Sequence, residues 1–418
     1  MTTSKAAQAD QGAALARCVS AAPDAFARDY WGVQPLYSPA SSLPGDFFDL
    51  FSAAAADELL TDRGLRTPFI RMAKEGSVLA AERFTASGGF GAQVADQVDS
   101  GMVLREFADG STIVLQGLHR SWPALTAFTR RLVTELGHPA QVNAYITPES
   151  SRGFDAHYDV HDVFVLQVSG EKHWSVHAPV HEHPRADEPW SGRRAAVAAR
   201  AQEEPVIDVV LRPGDALYLP SGWLHSAVAC AGTSIHLTIG VAALTGADVV
   251  RELVAEISRN PELRAPLPIS GSQAGPETLE DAVQAVTSAF TRALAAHTDG
   301  DGAARTASAV RRSFQRLTRP EPVAPLATVD AANDLSPKAV VRLRDGLAAQ
   351  VTVDASGVHL SAAGQGLRFP RECEAAVRAL ASGERHWAGA LPDLDEPDSL
   401  VVTRRLLRSA MLVTEPGD

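Results

Sequence analysis

The hydrophobic period of this 418-residue chain changes several times, and each change marks a different kind of structure. Residues 45–60, GDFFDLFSAAAADELL, carry the spacing of a helix, and LRTPFIRMAKEG (65–76) reads as a strand ending in a turn. SWPALTAFTRRLVTELG (121–137) has apolar residues at helical steps and stops at Gly137, a good C-terminal cap. From Gln141 to about Val241 the period falls to two, in short strands broken by the turn clusters SGE (169–171) and RPGD (212–215). HEHPRADEPWSGRR (181–194) has the Pro, Gly and charge mix of a surface loop. After Leu244 helical spacing returns in ADVVRELVAEISRN (247–260), in PETLEDAVQAVTSAFTRALAAH (276–297) and in SAVRRSFQRL (308–317). In the second of these, Leu279, Val283, Val286, Phe290 and Leu294 fall on one face. PEPVAPLATVDAAND (320–334) reads as a linker. The remainder mixes short strands (VVRLRD, AAQVTVD, GVHLSA) with helices near 371–382 and 399–412.

These changes predict four regions: a frayed lead-in over 1–24, a strand-rich domain over 25–245, a helical region over 246–325 and a small α+β module over 326–418. Within the strand-rich domain, side-chain parity assigns faces, because alternate residues of a strand point the same way. Asn143, Tyr145 and Thr147 oppose Val142, Ala144 and Ile146, and Ser234, His236 and Thr238 oppose Ile235, Leu237, Ile239 and Val241. In HYDVHD, taken as a strand, His157, Asp159 and His161 share a face. Apolar faces turned toward helices and polar faces converging inward describe a barrel lined for a polar ligand.

Composition narrows the setting. Hydrophobic residues make up 45% and charged residues 21% of the chain, as in ordinary globular proteins. No apolar stretch approaches a membrane span, and the N-terminus lacks the continuous apolar core of a signal peptide. Cys18, Cys230 and Cys373 are scattered, against both a disulfide framework and a CxxC zinc site, so a reduced cytoplasmic protein is expected. A net charge of −12 disfavours general nucleic-acid binding and suits a basic polypeptide partner, although acidity for solubility accounts for it equally well.

The chemistry concentrates in FDAHYDVHDVFVLQVSGEKHWSVH (154–177). His-x-Asp followed far downstream by a second histidine is the sequence form of the two-histidine, one-carboxylate triad that holds iron(II) by one face. His157 and Asp159 supply the first part, and His225, in GDALYLPSGWLHSA (214–227), supplies the second. Positions four apart on a strand lie roughly 13 Å apart, so His161 is left outside the ligand set. Asp162 faces away from Asp159, toward a backbone or neighbouring-strand partner. Lys172 shares the apolar face of its strand with Trp174 and Val176, a costly place for an amine unless it meets an anion. If iron sits at His157 and Asp159, the far carboxylate of 2-oxoglutarate is one anion that would fit, and Asn143, Tyr145 and Thr238 could add hydrogen bonds to it. His236 faces inward, either touching substrate or resting as a hydrogen-bonded interior histidine; His161 stands in a similar position, near substrate or supporting the ligands. His173 and His177 read as exposed strand positions, His181 and His183 as a solvated or substrate-contacting loop pair, and Trp223 as packing beneath the His225 turn.

LRTPFIRMAKEG, LQGLHRSWPAL, VNAYITPESSRGFDAHYDVHDVFVLQVSGEKHW, GDALYLPSGWLHSA and SIHLTIG together resemble the Jumonji-C/cupin oxygenases, and more closely their ribosomal oxygenase branch. The resemblance spans roughly residues 25–245. It implies an α+β chain with a double-stranded β-helix (jelly-roll/cupin) catalytic core and flanking helices, then a helical dimerisation region and a winged-helix-like C-terminal domain. It implies iron on His157, Asp159 and His225, with 2-oxoglutarate held by Lys172, Asn143 and Tyr145. With dioxygen as co-reactant, it also implies hydroxylation of an arginine or histidine of a large-subunit ribosomal protein, by a homodimer. The 181–194 segment and PDLDEPD (392–398) match no motif of that branch and leave the substrate open. An oxygenase for a biosynthetic peptide or small molecule is the alternative. From another class comes a non-catalytic, metal-bound dimeric binding protein whose VVTRRLLRSA helix (401–410) contacts nucleic acid.

Overall fold

The computed structural model describes residues 14–91, 93–149, 151, 154–267, 278–362 and 364–415. The chain divides into two units, Met1–Ala243 and Leu244–Asp418.

In the first unit the strands are, in chain order, β1 (Leu36–Ser38), β2 (Ile70–Lys74), β3 (Ser77–Val78), β4 (Thr85–Ala86), β5 (Gln97–Val98), β6 (Thr112–Leu115), β7 (Ala140–Thr147) and β8 (Asp162–Ser169). They continue as β9 (Lys172–His177), β10 (Ile207–Leu211), β11 (Ala216–Leu219), β12 (Leu224–Ala229) and β13 (Ser234–Val241). One antiparallel sheet runs β1-β11-β8-β13-β7-β6-β2-β3, and a second runs β10-β9-β12. The period-two pattern of β8 explains how they assemble. Val163 and Val165 join Trp174, Val176, Leu211, Leu217 and Leu219 in a core between the two sheets. Phe164, Leu166 and Val168 point the other way, into a larger core with Phe128 and Leu132 of the helix Pro123–Leu136. The result is a jelly-roll-like sandwich with helices on one outer face.

The middle of the large sheet sets the polar row. β13 pairs with β7 so that Ser234, His236 and Thr238 stand opposite Thr147, Tyr145 and Asn143. Ile235, Leu237 and Ile239 fall on the other face with Val142, Ala144 and Ile146, all buried in the outer core.

Several elements differ from the sequence pattern. Over 45–60 only Ala53–Thr61 is helical, started by the Ser52 hydroxyl, which accepts from Ala55 N. Ahead of it, Arg17 binds the Asp46 carbonyl and the Asp49 carboxylate, so Phe47, Leu50 and Phe51 reach the core from a turn. Residues 157–161 form no strand; β8 begins at Asp162. The linker expected over 320–334 contains the helix Pro325–Asn333, with proline at its first position, where no N–H is required.

The second unit holds the helices Gly246–Ile257, Leu279–Thr298 and Gly302–Leu317, the first two opened by Thr–Asp capping boxes at Thr245/Asp248 and Thr278/Asp281. Leu279, Val283 and Val286 are exposed, and Phe290 and Leu294 half-buried. Near the C-terminus, strand Val340–Leu343 lies between His386–Trp387 and Leu412–Thr414, and a second antiparallel sheet spans 350–369. These share a core with the helices Glu374–Ala381 and Glu396–Arg408. The three arginines of that last helix are all engaged: Arg404 with Ala332 O, Arg405 with Arg368 O and Arg408 with Asn333. Among the described residues no helix is long and apolar enough to cross a membrane.

Candidate metal centre

The loop before β8 is laced by main-chain bonds to the start of β12 and to the turn that precedes it. His157 N donates to His225 O at 3.1 Å, His225 N returns a bond to His157 O at 2.8 Å, and Gly222 N donates to Asp159 O at 2.9 Å. Ser221 N adds a bond to the Asp162 carboxylate at 2.7 Å, the backbone role expected for Asp162. Gly222, at φ +85°, makes this turn possible: a Cβ there would stand 2.6 Å from His181 O.

This lacing brings His157, Asp159 and His225 together, with one ligand atom from each lying within 4.8 Å of the others. The ring orientations are set from behind. His157 Nδ1 meets Asp155 O at 2.7 Å, and His225 Nδ1 meets Trp223 O at 3.1 Å. A carbonyl can only accept, so Nδ1 carries the proton in both rings and Nε2 is the lone-pair donor aimed at the cluster. Burial, and then the neighbouring His157, push the His225 imidazole down to about 4, so it stays neutral and ready to ligate. Burial opposes ionisation of Asp159, but attraction to His225, His157, His161 and Arg71 together outweighs it and holds the carboxyl below its ordinary range.

The trio stands at a cavity of about 240 Å³ lined also by Arg71, Thr112, Tyr145, Phe154, Lys172, Trp174, Trp190, His236 and Thr238. Lys172 is only 4% exposed, and its one polar contact among the described residues is the Thr147 hydroxyl at 3.1 Å. Burial pushes its amine down to about 7. Trp174 Nε1, Arg71 Nε and His236 Nδ1 are also buried without a hydrogen-bond partner among the described residues. The Lys172 amine, with the unpartnered N–H groups of Trp174 and Arg71 on the same lining, suits an oxygen-rich anion.

The other residues singled out from the sequence fall in different places. Tyr145 and Thr238 line the cavity, whereas Asn143 does not; its carboxamide oxygen accepts from Gly117 N at 3.0 Å. His236 lines it, stacked on Tyr145 with ring centroids 5.0 Å apart. His161 lies over Gly240, where a Cβ would come within 2.7 Å of its Nε2. His173 pairs with Asp208 at 2.7 Å, but His177 is buried rather than exposed, its Nε2 on Glu203 O at 3.1 Å. His181 pairs with Glu188 at 3.2 Å.

Sequence reasoning missed Arg71. Ile70 and Met72 are buried on the outer face of β2, so parity alone would have turned Arg71 inward. There it stands in a row with Val114, Tyr145 and His236 across four neighbouring strands. Trp190 was missed too, and no pattern in the 181–194 segment announces it.

A sandwich with a His-x-Asp…His cluster at the mouth of a polar cavity has the form of a cupin-type metal site. Comparison sharpens the class: residues 121–249 match the family model of the JmjC domain. The bifunctional lysine-specific demethylase and histidyl-hydroxylase NO66 of Drosophila persimilis is 43% identical over 98 residues, covering 23% of this chain and 13% of that one. Ribosomal oxygenase 1 of Gallus gallus is 29% identical over 221 residues, covering 52% of this chain and 35% of its own length. The chain thus spans about a third or less of these relatives. Among solved structures, the Escherichia coli ribosomal oxygenase YcfD matches 95% of this chain and 99% of its own, with a TM-score of 0.52 at 16% identity. YcfD in complex with cobalt and 2-oxoglutarate matches with a TM-score of 0.50 at 18% identity. At these identities the likeness speaks for a shared fold.

Proposed function

We propose that this chain is an Fe(II)- and 2-oxoglutarate-dependent oxygenase that hydroxylates a protein side chain, an arginine or histidine of a large-subunit ribosomal protein. One observation carries the reading: a His/Asp/His trio shares a cavity with a buried lysine that has no carboxylate partner among the described residues. The donor set fits the metal, since two imidazoles and a carboxylate suit iron(II) and leave positions open on its other face. The names of the relatives, ribosomal oxygenase 1 and histidyl-hydroxylase, and the cobalt and 2-oxoglutarate bound to YcfD support the same chemistry.

In this reading His157, Asp159 and His225 hold the iron, and Lys172 binds the distal carboxylate of 2-oxoglutarate by a charge-assisted bond. Tyr145 and Thr238 add hydrogen bonds, while Asn143 acts at one remove by fixing Gly117. Arg71 and His236, with buried unpartnered nitrogens on the same wall, orient whatever enters beside the metal. The bound metal, cosubstrate and dioxygen supply oxidative decarboxylation to succinate and transfer of one oxygen atom to a C–H bond. The protein's own part is placement: a neutral His225, a fixed Asp159 and a floor of apolar residues (Val163, Val165, Trp174) that excludes water.

The rest of the chain fits an accessory role. We assign 25–245 to catalysis, the helices of 246–325 to homodimerisation through the exposed stripe of Leu279, Val283 and Val286, and 326–418 to a winged-helix-like module. We place the protein in the cytoplasm.

Mass spectrometry of ribosomal proteins from wild-type and deletion cells tests the substrate, with loss of a +16 Da modification expected in the deletion. Purified protein loaded with Fe(II) that makes no succinate with ribosomal proteins, peptides or cell extract would overturn the reading.

A further inference from the structure

The helix Gly302–Leu317 has a charge balance opposite to that of the chain. From Gly302 to Arg319 there are five arginines and no acidic residue, in a protein whose net charge is −12. Arg305 pairs with Asp301, and on neighbouring helices Arg251 pairs with Asp248, Arg259 with Glu256 and Arg292 with Glu262. Arg311, Arg312, Arg316 and Arg319 are exposed, and none of them has a carboxylate within ion-pair distance among the described residues. Arg316 reaches Glu252 only through the Ser313 hydroxyl, to which it donates at 2.6 Å and which donates to Glu252 at 2.9 Å.

The helix sets these charges in a row. Residues four apart share a face, so Ala304, Ser308, Arg312 and Arg316 follow one another along it at roughly 6 Å per step. Arg311 flanks the row, and Arg319 lies just past its end. Ala304 is small, and the Ser308 hydroxyl is spent on Ala304 O, so the ridge offers a partner charge and little else. Attraction to the helix dipole accounts for a basic residue in the last turn, Arg316, but not for Arg311 and Arg312 before it. The acidity of the chain does not cancel the ridge, since at 0.1 M salt a surface charge acts over only about 10 Å. A peptide partner is selected by pockets for its side chains as well as by charge, whereas a phosphate backbone asks for charge alone.

We propose that Arg311, Arg312, Arg316 and Arg319 form a docking ridge for the phosphate backbone of RNA, bound by charge and without reading sequence. The helix Glu396–Arg408 is no rival for this role, because its three arginines are engaged inside their own module. RNA is named because the substrate proposed above, a ribosomal protein, belongs to an RNA-bound particle. That choice rests on the oxygenase reading; the ridge itself does not.

The test reads fluorescence anisotropy of a labelled single-stranded RNA of mixed sequence, titrated with the metal-free full chain. With four phosphate contacts, log affinity should fall against log salt with a slope of about −2.8, roughly a fiftyfold loss between 50 and 200 mM. Replacing Arg312 and Arg316 together by glutamine should halve the slope and weaken binding at least about tenfold at 50 mM. Replacing both by lysine, which keeps the charge, should keep the slope. Arg259→Gln with Arg292→Gln, which removes paired arginines, should leave affinity within about twofold of wild type. Wild-type protein without salt-dependent binding, a glutamine variant that binds as wild type does, or polyglutamate competing as well as unlabelled RNA of equal charge overturns the proposal. Failure of the Fe(II)-loaded protein to make succinate overturns the oxygenase reading instead, because RNA binding is measured without metal.

Discussion

His157 and His225 are joined by a two-way main-chain bridge, each N–H donating to the other's carbonyl at 3.1 and 2.8 Å. Residues far apart in sequence are thereby held in register by backbone alone, and their side chains inherit that geometry. The trio is built by the fold, so a metal bound there would add to a structure already present.

Metal-free protein should therefore be folded, and metal should stabilise it by mass action. At Mn(II) a hundredfold above its dissociation constant, the gain should be about 2.7 kcal/mol. Calorimetry in chelator and in Mn(II) should show this rise for wild type and none for Asp159→Ala or His225→Ala. A chelated protein with no cooperative transition would contradict the claim.

Lys172 makes stability depend on pH in a direction opposite to that of a salt-bridged lysine. Its amine titrates at about 7 in the fold against an ordinary 10.5, because burial disfavours the ammonium. Between those values the unfolded chain binds more protons than the native one, so stability rises with pH across that window; below about 7 the penalty is complete. At about 1.4 kcal/mol per pH unit, the full penalty is on the order of 5 kcal/mol. Ligand-free Lys172→Met should thus be more stable than wild type at pH 6–7, by an amount that shrinks toward pH 10. Urea unfolding at several pH values checks this, and equal stabilities at pH 7 would refute it.

The same amine must be protonated to hold a carboxylate. Affinity of the Mn(II)-loaded protein for 2-oxoglutarate should be flat below about pH 7 and then fall, approaching tenfold per pH unit. Lys172→Met should abolish the binding at every pH. Calorimetric titration decides: affinity unchanged from pH 7 to 9 would place the cosubstrate's far carboxylate elsewhere.

Much of this site was legible in the sequence because strand parity is a strong constraint. It turned Tyr145, Thr238, His236 and Lys172 inward, and all four line the cavity. Parity failed where there is no strand: His157 and Asp159 lie on a loop, and what aligns them is the bridge to His225, a pairing no local pattern encodes. It also misled at Asn143, which has the right parity but lies at a level where its carboxamide meets Gly117 instead of the cavity. Arg71 was readable by the same rule and overlooked. Trp190 was not readable, because a segment without periodicity gives no direction for its side chains.

The contacts that Tyr158 and Gly222 make behind His157 and His225 should be sensitive to small changes. Tyr158→Phe removes one hydrogen bond, to Glu188 O, and should cost about 1 kcal/mol while weakening Mn(II) binding modestly. Gly222→Ala is harsher, since its Cβ would meet the His181 carbonyl at 2.6 Å and the residue sits at φ +85°. It should cost more than about 2 kcal/mol, with a larger loss of Mn(II) affinity than Tyr158→Phe. Equal Mn(II) affinities for both variants and wild type would show that the turn and the segment packed on it do not position the metal ligands.

The helix Leu279–Thr298 leaves an apolar row uncovered, with Leu279 74%, Val283 57% and Val286 45% exposed. Three large apolar side chains on successive turns of one face form a continuous patch, which soluble monomers usually bury or break with charge. A homodimer joined there would cover it, and each buried branched side chain contributes about 1.5–3 kcal/mol. Replacing Val283 and Val286 together by aspartate would place two charges per subunit in that interface and should dissociate it, without touching the metal centre. Light scattering at micromolar concentration should report a dimer for wild type and a monomer for the double variant, with Mn(II) binding retained. A wild-type monomer at that concentration would remove the dimer from the proposed function and leave the face to another partner.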